Sequence, residues 1–217
     1  MAAKAYYDAD GKRLPSVTTI IGRFKDSNNL LFWANKVGRE GMTLEDARKP
    51  AADAGTIAHG WVEDHINGRA LRQIDADPDV IAKGRAAYEA YLTWQQMTRL
   101  QIRHTEVSLS SGKHRFGGTL DAIGTVANMS NGLALVDWKS SQSVYADYLY
   151  QMAAYAILWE EAYPDHPIAG GFHLCRFAKE AGDFAHYHFP SLDEEKSTFL
   201  IMRDLYDRVK KTEKRVR

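Results

Sequence analysis

A single cysteine, Cys175, stands in 217 residues. That excludes an intrachain disulfide framework and any four-cysteine zinc or iron–sulfur site built by one chain. Net charge is also missing: 28 basic and 28 acidic side chains balance, so the whole-molecule field does not draw in a polyanion, and a local basic patch would have to do so. No run of about eighteen apolar residues occurs, and the opening MAAKAYYDADGKRLP lacks an apolar signal core. These absences imply a soluble, intracellular protein in a reducing compartment. Low-complexity linkers and internal repeats are absent as well, and 45% hydrophobic with 26% charged content suits one domain over residues 1–217.

What is present changes character near residue 100. Pro15 and Ser16 before an apolar run predict a short helix, and NNLLFWANKVGREG predicts a second, ended by glycines. Thr43 with Asp46 reads as an N-cap, and AADAGTIAHGWVEDHING as another helix closed by Gly68. DPDVIAKGRAAYEAYLTWQQMTRL is a long helix. Then IRHTEVSLSS, FGGTLDAIGTVA and LALVDWKSS, rich in β-branched residues and separated by turn formers, predict a three-strand meander. A helix YADYLYQMAAYAILWEEAY, a hairpin GGFHLCRFA/DFAHYHF turning at KEAG, and a last helix opened by a Ser191/Glu194 capping box complete the chain. The last helix carries an apolar stripe of Phe199, Met202, Leu205, Tyr206 and Val209. Its end, VKKTEKRVR, reads as a solvated, dipole-compatible terminus or as a DNA contact.

The chemistry concentrates in LALVDWKSS. Strand alternation puts Leu133, Leu135, Asp137 and Lys139 on one face, so a carboxylate and an amine point together. Asp121, in the preceding strand, joins that face if the connecting loop has an odd number of residues; a two-residue Asn131–Gly132 turn would put it on the other. Two carboxylates on neighbouring strands make a hard-oxygen site for Mg²⁺ or Mn²⁺, and an adjacent lysine can orient or deprotonate a water or stabilise a phosphate. The alternative is a salt bridge on a solvated sheet face.

Four short motifs occur in order: GTIAHGWVE with His59 and Glu63, GGTLD ending at Asp121, DWK with Asp137 and Lys139, and QMAAY with Gln151 and Tyr155. Together, over roughly residues 50 to 160, they resemble the PD-(D/E)XK nuclease superfamily and its RecB-like exonuclease branch, which includes mitochondrial genome maintenance exonucleases and phage recombination nucleases. The resemblance implies an α/β fold with a restriction-endonuclease-like core: a mixed sheet flanked by helices. Residues 1–100 would be a mainly helical wall, 101–190 the sheet core and 191–217 a final helix. It implies a divalent-metal-dependent DNA exonuclease acting on ends or single strands, a monomer in a bacterial or phage-infected cell. A non-catalytic DNA-binding module and a restriction-type endonuclease are the alternatives.

By the same resemblance, His59, Asp121, Asp137 and the Trp138 carbonyl would hold Mg²⁺ or Mn²⁺, with no iron–sulfur cluster. Lys139 would place the water. Gln151, Tyr155, Ser140 and Ser141 would hold phosphate and strand, and Glu106 and Glu63 would stand behind them. The alternatives are a local hydrogen bond for His59, a salt bridge for Glu63 and core packing for Tyr155. Tyr6, Tyr7, Phe32, Trp33 and Trp61 are candidate base-stacking aromatics. One rival constellation exists: a four-residue hairpin loop would set His173 opposite His188 and Cys175 opposite His186, a geometry that can bind zinc or simply pack.

Overall fold

A computed structural model describes residues 4–25, 28–127, 132–141, 143–177 and 184–216, with backbone only at 28–30. Two short strands, β1 (Tyr6–Tyr7) and β2 (Arg13–Leu14), form an antiparallel hairpin at the start. Four helices follow: α1 (Val17–Phe24), α2 (Asn28–Arg39), α3 (Leu44–Ile66) and α4 (Pro78–Thr98). Their entries are chemically marked. Ser16 accepts from the Thr19 amide at 3.0 Å, Thr43 from the Asp46 amide at 3.1 Å, and Asp77 caps α4 with Pro78 in its first turn.

The central sheet runs β3 (Leu100–Ser111), β4 (Phe116–Val126), β5 (Ala134–Lys139), β6 (Phe172–Phe177) and β7 (Phe184–Phe189), in that spatial order. The first three strands are an antiparallel meander. β5 and β6 pair in parallel across α5 (Ala146–Ala162), and β7 returns antiparallel. The sheet is therefore mixed and buried on both faces. Leu120, Ile123, Leu135 and Leu174 pack under α1, α5 and the last helix, α6 (Asp193–Glu213). Ala122, Val136, Trp138 and Cys175 pack against α3 and α4. No helix among the described residues is long and apolar enough to cross a membrane.

Several local expectations are corrected. The N-terminal helices do not form one wall: α1 covers the α5 side while α3 and α4 cover the other. α3 runs unbroken through Pro50, where two helices were expected. Its lower turns bury Ala54, Ile57, Ala58 and Trp61, and that packing outweighs the one hydrogen bond proline forfeits. Ser191 does not form a capping box; its hydroxyl bonds the amide and carboxylate of Asp193, and α6 begins two residues beyond it. In the α6 stripe Leu205 is exposed and Arg203 is buried, its Nε donating to the Arg115 carbonyl at 3.0 Å.

The β6–β7 register sets His173 opposite His188 and Cys175 opposite His186; the turn over 179–182 lies outside the described residues. His173 Nδ1 and His186 Nε2 are hydrogen-bonded at 2.9 Å, and the His173 ring stacks on both partners. Burial first, then neighbouring imidazoles, lowers His173 to about 3 and His186 to about 4. At neutral pH the His173 and His186 rings are uncharged, and His186 packs beside Trp94.

Candidate active site

The β4–β5 register pairs Ala122 with Val136 and Gly124 with Ala134. One step further, Asp121 stands across from Asp137, the arrangement that an odd loop requires; residues 128–131 of that loop lie outside the described residues. Here the strands separate. The Trp138 amide donates to Asp121 Oδ2 at 3.2 Å, so the Asp121 side chain takes the place of a backbone acceptor. Leu120 and Ile123 both face the α5-side core although residues three apart in a regular strand face opposite ways. The alternation therefore slips at Asp121–Ala122. Across from the slip is Glu106, a non-glycine residue at φ +50°, a left-handed conformation costing about 1–3 kcal/mol and typical of functional sites.

Lys139 Nζ lies 2.6 Å from Asp137 Oδ2. The alternative of a solvated surface ion pair is overturned, because Asp137 has no exposed surface at all. Asp137 Oδ1 receives no hydrogen bond among the described residues. Burial is the main cause that raises the Asp137 carboxyl, to about 7; Lys139 opposes the rise and Asp121 adds to it. Asp121 is raised by burial, again against Lys139. Burial disfavours the Lys139 ammonium, but the two carboxylates outweigh it and raise the lysine above its ordinary value. At neutral pH Lys139 is therefore a hydrogen-bond donor and a charge, not a base.

His59 arrives from α3. One turn earlier, Gly55 lies so close to β5 that a Cβ there would sit 2.4 Å from Ser140 Oγ; the missing side chain lets the helix descend onto the strand end. His59 then lines a cleft of about 470 Å³ with Asp121, Trp138, Lys139, Ser140 and Ser141. Burial, then Lys139, lowers the imidazole to about 4 against the pull of Asp137, so it is neutral and available as a ligand. Glu63, a further turn along, is held by Arg69 and Arg72 at 3.0 Å each, the salt-bridge alternative. Partial burial raises Glu106, with Glu63 adding to the rise and Lys4 opposing it. Among the described residues no three His, Cys, Asp or Glu side chains converge tightly enough to grip a metal ion. The donors nonetheless fit a hard cation: two desolvated carboxylates, one oxygen without a donor, and a neutral imidazole.

From α5, Gln151 donates to the Tyr155 hydroxyl at 2.7 Å. The Tyr155 ring belongs to the core, yet Asp121 and Asp137 are close enough to add to the burial that raises its phenol. Both descriptions of Tyr155 thus apply to one side chain: an apolar ring packed on β4 and a hydroxyl facing the carboxylates. Gly118 makes room for it, since a Cβ there would lie 2.7 Å from Tyr155 Cε1. Gly118→Ala is therefore expected to lower stability by about 1–3 kcal/mol, as overpacking does, read as a fall in melting temperature. An unchanged melting temperature would contradict this packing. Trp61 is buried, its indole donating to the Arg72 carbonyl at 3.0 Å, and leaves the list of stacking candidates. Phe32 remains 78% exposed.

Three cleft residues escape the motif pattern. Tyr148 carries Lys139 5.3 Å from its ring centroid, and Arg48 lies over Trp33 at 6.0 Å on the cleft wall. Tyr148 had a signal: it sits three and seven residues before Gln151 and Tyr155, on the same helix face. Arg48 had none and Trp33 only its aromatic character, as one of the stacking candidates, because α2 meets α3 only through tertiary packing.

No protein-family model matches the sequence, and no curated protein matches it. Among solved structures the chain is similar to a candidate exonuclease from Eubacterium rectale (12% identity, TM-score 0.47), over 70% of this chain and 64% of that one. It is also similar to LHK-Exo, solved in complex with dAMP (11% identity, TM-score 0.37), over 77% of this chain and 92% of that one. The chain thus spans under two thirds of the Eubacterium rectale protein. The chemistry of the cleft rests on its own geometry.

Proposed function

We propose that this chain is a divalent-metal-dependent deoxyribonuclease that hydrolyses phosphodiester bonds from DNA ends or in single strands. The observation that carries the proposal is the buried Asp137 carboxylate, with one oxygen lacking a donor, held 2.6 Å from the Lys139 ammonium beside Asp121 and a neutral His59. A surface ion pair needs none of this desolvation. His59, Asp121, Asp137 and the Trp138 carbonyl are the groups that would hold Mg²⁺ or Mn²⁺. The bound cation supplies Lewis-acid polarisation of a phosphate and a lowered pKa for an attacking water.

The remaining work falls to the chain itself. Lys139, kept protonated by two carboxylates, donates to a non-bridging phosphate oxygen or to the water and stabilises charge developing in line. The Gln151–Tyr155 pair and the Ser140 and Ser141 hydroxyls orient the phosphate. Trp33, part of the cleft wall and 37% exposed, offers a stacking face for a base.

The decisive assay is loss of an end-labelled single strand with and without Mg²⁺ or Mn²⁺, beside closed circular duplex DNA. Metal-dependent loss of the strand with intact circles is the expected result. Cut circles would replace the exonuclease with an endonuclease, and no cleavage of either would leave a non-catalytic binding module.

A further inference from the structure

A second cleft, of about 750 Å³, lies between the N-terminal hairpin, the entry of α1 and the last turns of α6. Eight of its fifteen lining side chains are cationic and one, Asp207, is acidic; Asp207 is already paired with Arg203 at 2.8 Å. Lys12, Arg13, Lys211 and Lys214 have no acidic partner among the described residues. In a chain whose charges balance overall, this is a strong local segregation. Complementing the α6 dipole explains lysines at one helix end, but not why they converge with Lys12, Arg13 and Arg115 from distant parts of the chain. Crowded, uncompensated cations repel one another and create a positive potential suited to a polyanion.

The groove meets the strand that carries Asp121, β4, at its opening residues. The Gly117 amide donates to the Pro15 carbonyl at 3.0 Å, and Tyr6, which lines the groove, bonds Thr119 Oγ1 through its hydroxyl at 2.9 Å. Gly118, next to both, lies under Tyr155. Asp121 is four residues beyond Gly117 on the same strand, about 13 Å at about 3.3 Å per residue. Lys4, another lining residue, acts on Glu106 across from Asp121.

We infer that this basic groove is the track for the nucleic-acid strand, its lysines and arginines pairing with successive phosphates of the segment that leads to or from the cleft of Asp121 and Lys139. The inference rests on the nuclease proposal and adds to it a binding surface outside the catalytic motifs.

Its test measures binding without cleavage: fluorescence anisotropy of a labelled single strand of about 20 nucleotides, in chelator, over a range of salt concentrations. For Lys210→Gln/Lys211→Gln/Lys214→Gln, affinity is expected to fall about tenfold or more. The slope of log K against log salt should shrink by about 2, since each phosphate contact on a single strand contributes about 0.7. A strand of about 4 nucleotides should lose less, because it cannot span both groove and cleft. Lys12→Gln/Arg13→Gln, from the opposite wall, should act in the same direction should the α6 variant misfold. Arg208→Gln, on α6 but outside the groove, is the charge control. Variants that melt like the parent and bind with its affinity and slope would overturn this inference alone. A parent that binds no strand would overturn it together with the nuclease proposal.

Discussion

Lys139→Ala is expected to cleave labelled DNA at least about a hundredfold more slowly than the parent, the loss associated with a group acting in the transition state, while strand affinity in chelator persists. The ammonium touches Asp137 and lines the cleft floor, whereas the cations proposed to hold the strand lie elsewhere. The substitution has a second consequence. Lys139 is the main group that opposes the upward shift of Asp137, with His59 adding less, so its removal pushes a carboxyl already near 7 still higher. Asp137 in the variant should therefore be protonated at neutral pH, because a buried charge without a partner neutralises rather than persists. Residual cleavage should then rise with pH more steeply than in the parent. Measuring the rate from pH 6 to 9 at limiting and at saturating Mn²⁺ separates the two effects: the carboxylate is recovered at high pH or by the cation, and the donor by neither. Cleavage undiminished at every pH would remove Lys139 from the mechanism.

Parity alone made much of this site legible. Asp137 and Lys139 two apart on a strand, and Asp121 on the preceding one, could be assigned to a common face, and the observed register meets the odd-loop condition. Strands, helices and the meander were readable for the same reason: apolar periodicity changes from 3.6 to 2 near residue 100. The depth of the pair was not readable. A carboxylate at an apolar strand's end looks the same whether solvated or covered, and here the cover comes from the α5 crossover and from α3, docked through Gly55. The slip at Asp121 has no local signature either, since it depends on Glu106 taking a left-handed conformation in the neighbouring strand. The basic tail of α6 was ambiguous by itself. Only folding brings it opposite Lys12 and Arg13.

Asp137→Asn should lose cleavage by at least about a hundredfold, since it deletes a ligand charge and the partner of Lys139, yet without metal it should be more stable than the parent at pH 8. The sign follows from linkage. In the folded chain the Asp137 carboxyl is raised from 3.8 to about 7, chiefly by burial. Between those values the native state holds a proton that the unfolded state has released, so stability present at pH 4 is lost as pH rises through 7. At about 1.4 kcal/mol per unit over about three units, the loss is on the order of 4 kcal/mol. Asparagine resembles the protonated carboxyl and carries no such loss, while the attraction to Lys139 is already contained in the shift. In chelator, the parent's melting temperature should therefore fall relative to the variant's between pH 4 and 8, and cross below it. A divalent cation should reverse that order by stabilising the parent through binding the native state, and leave the variant nearly unmoved. If the variant instead melts below the parent in chelator at pH 8, Asp137 is not the desolvated charge that makes this site receptive to a cation.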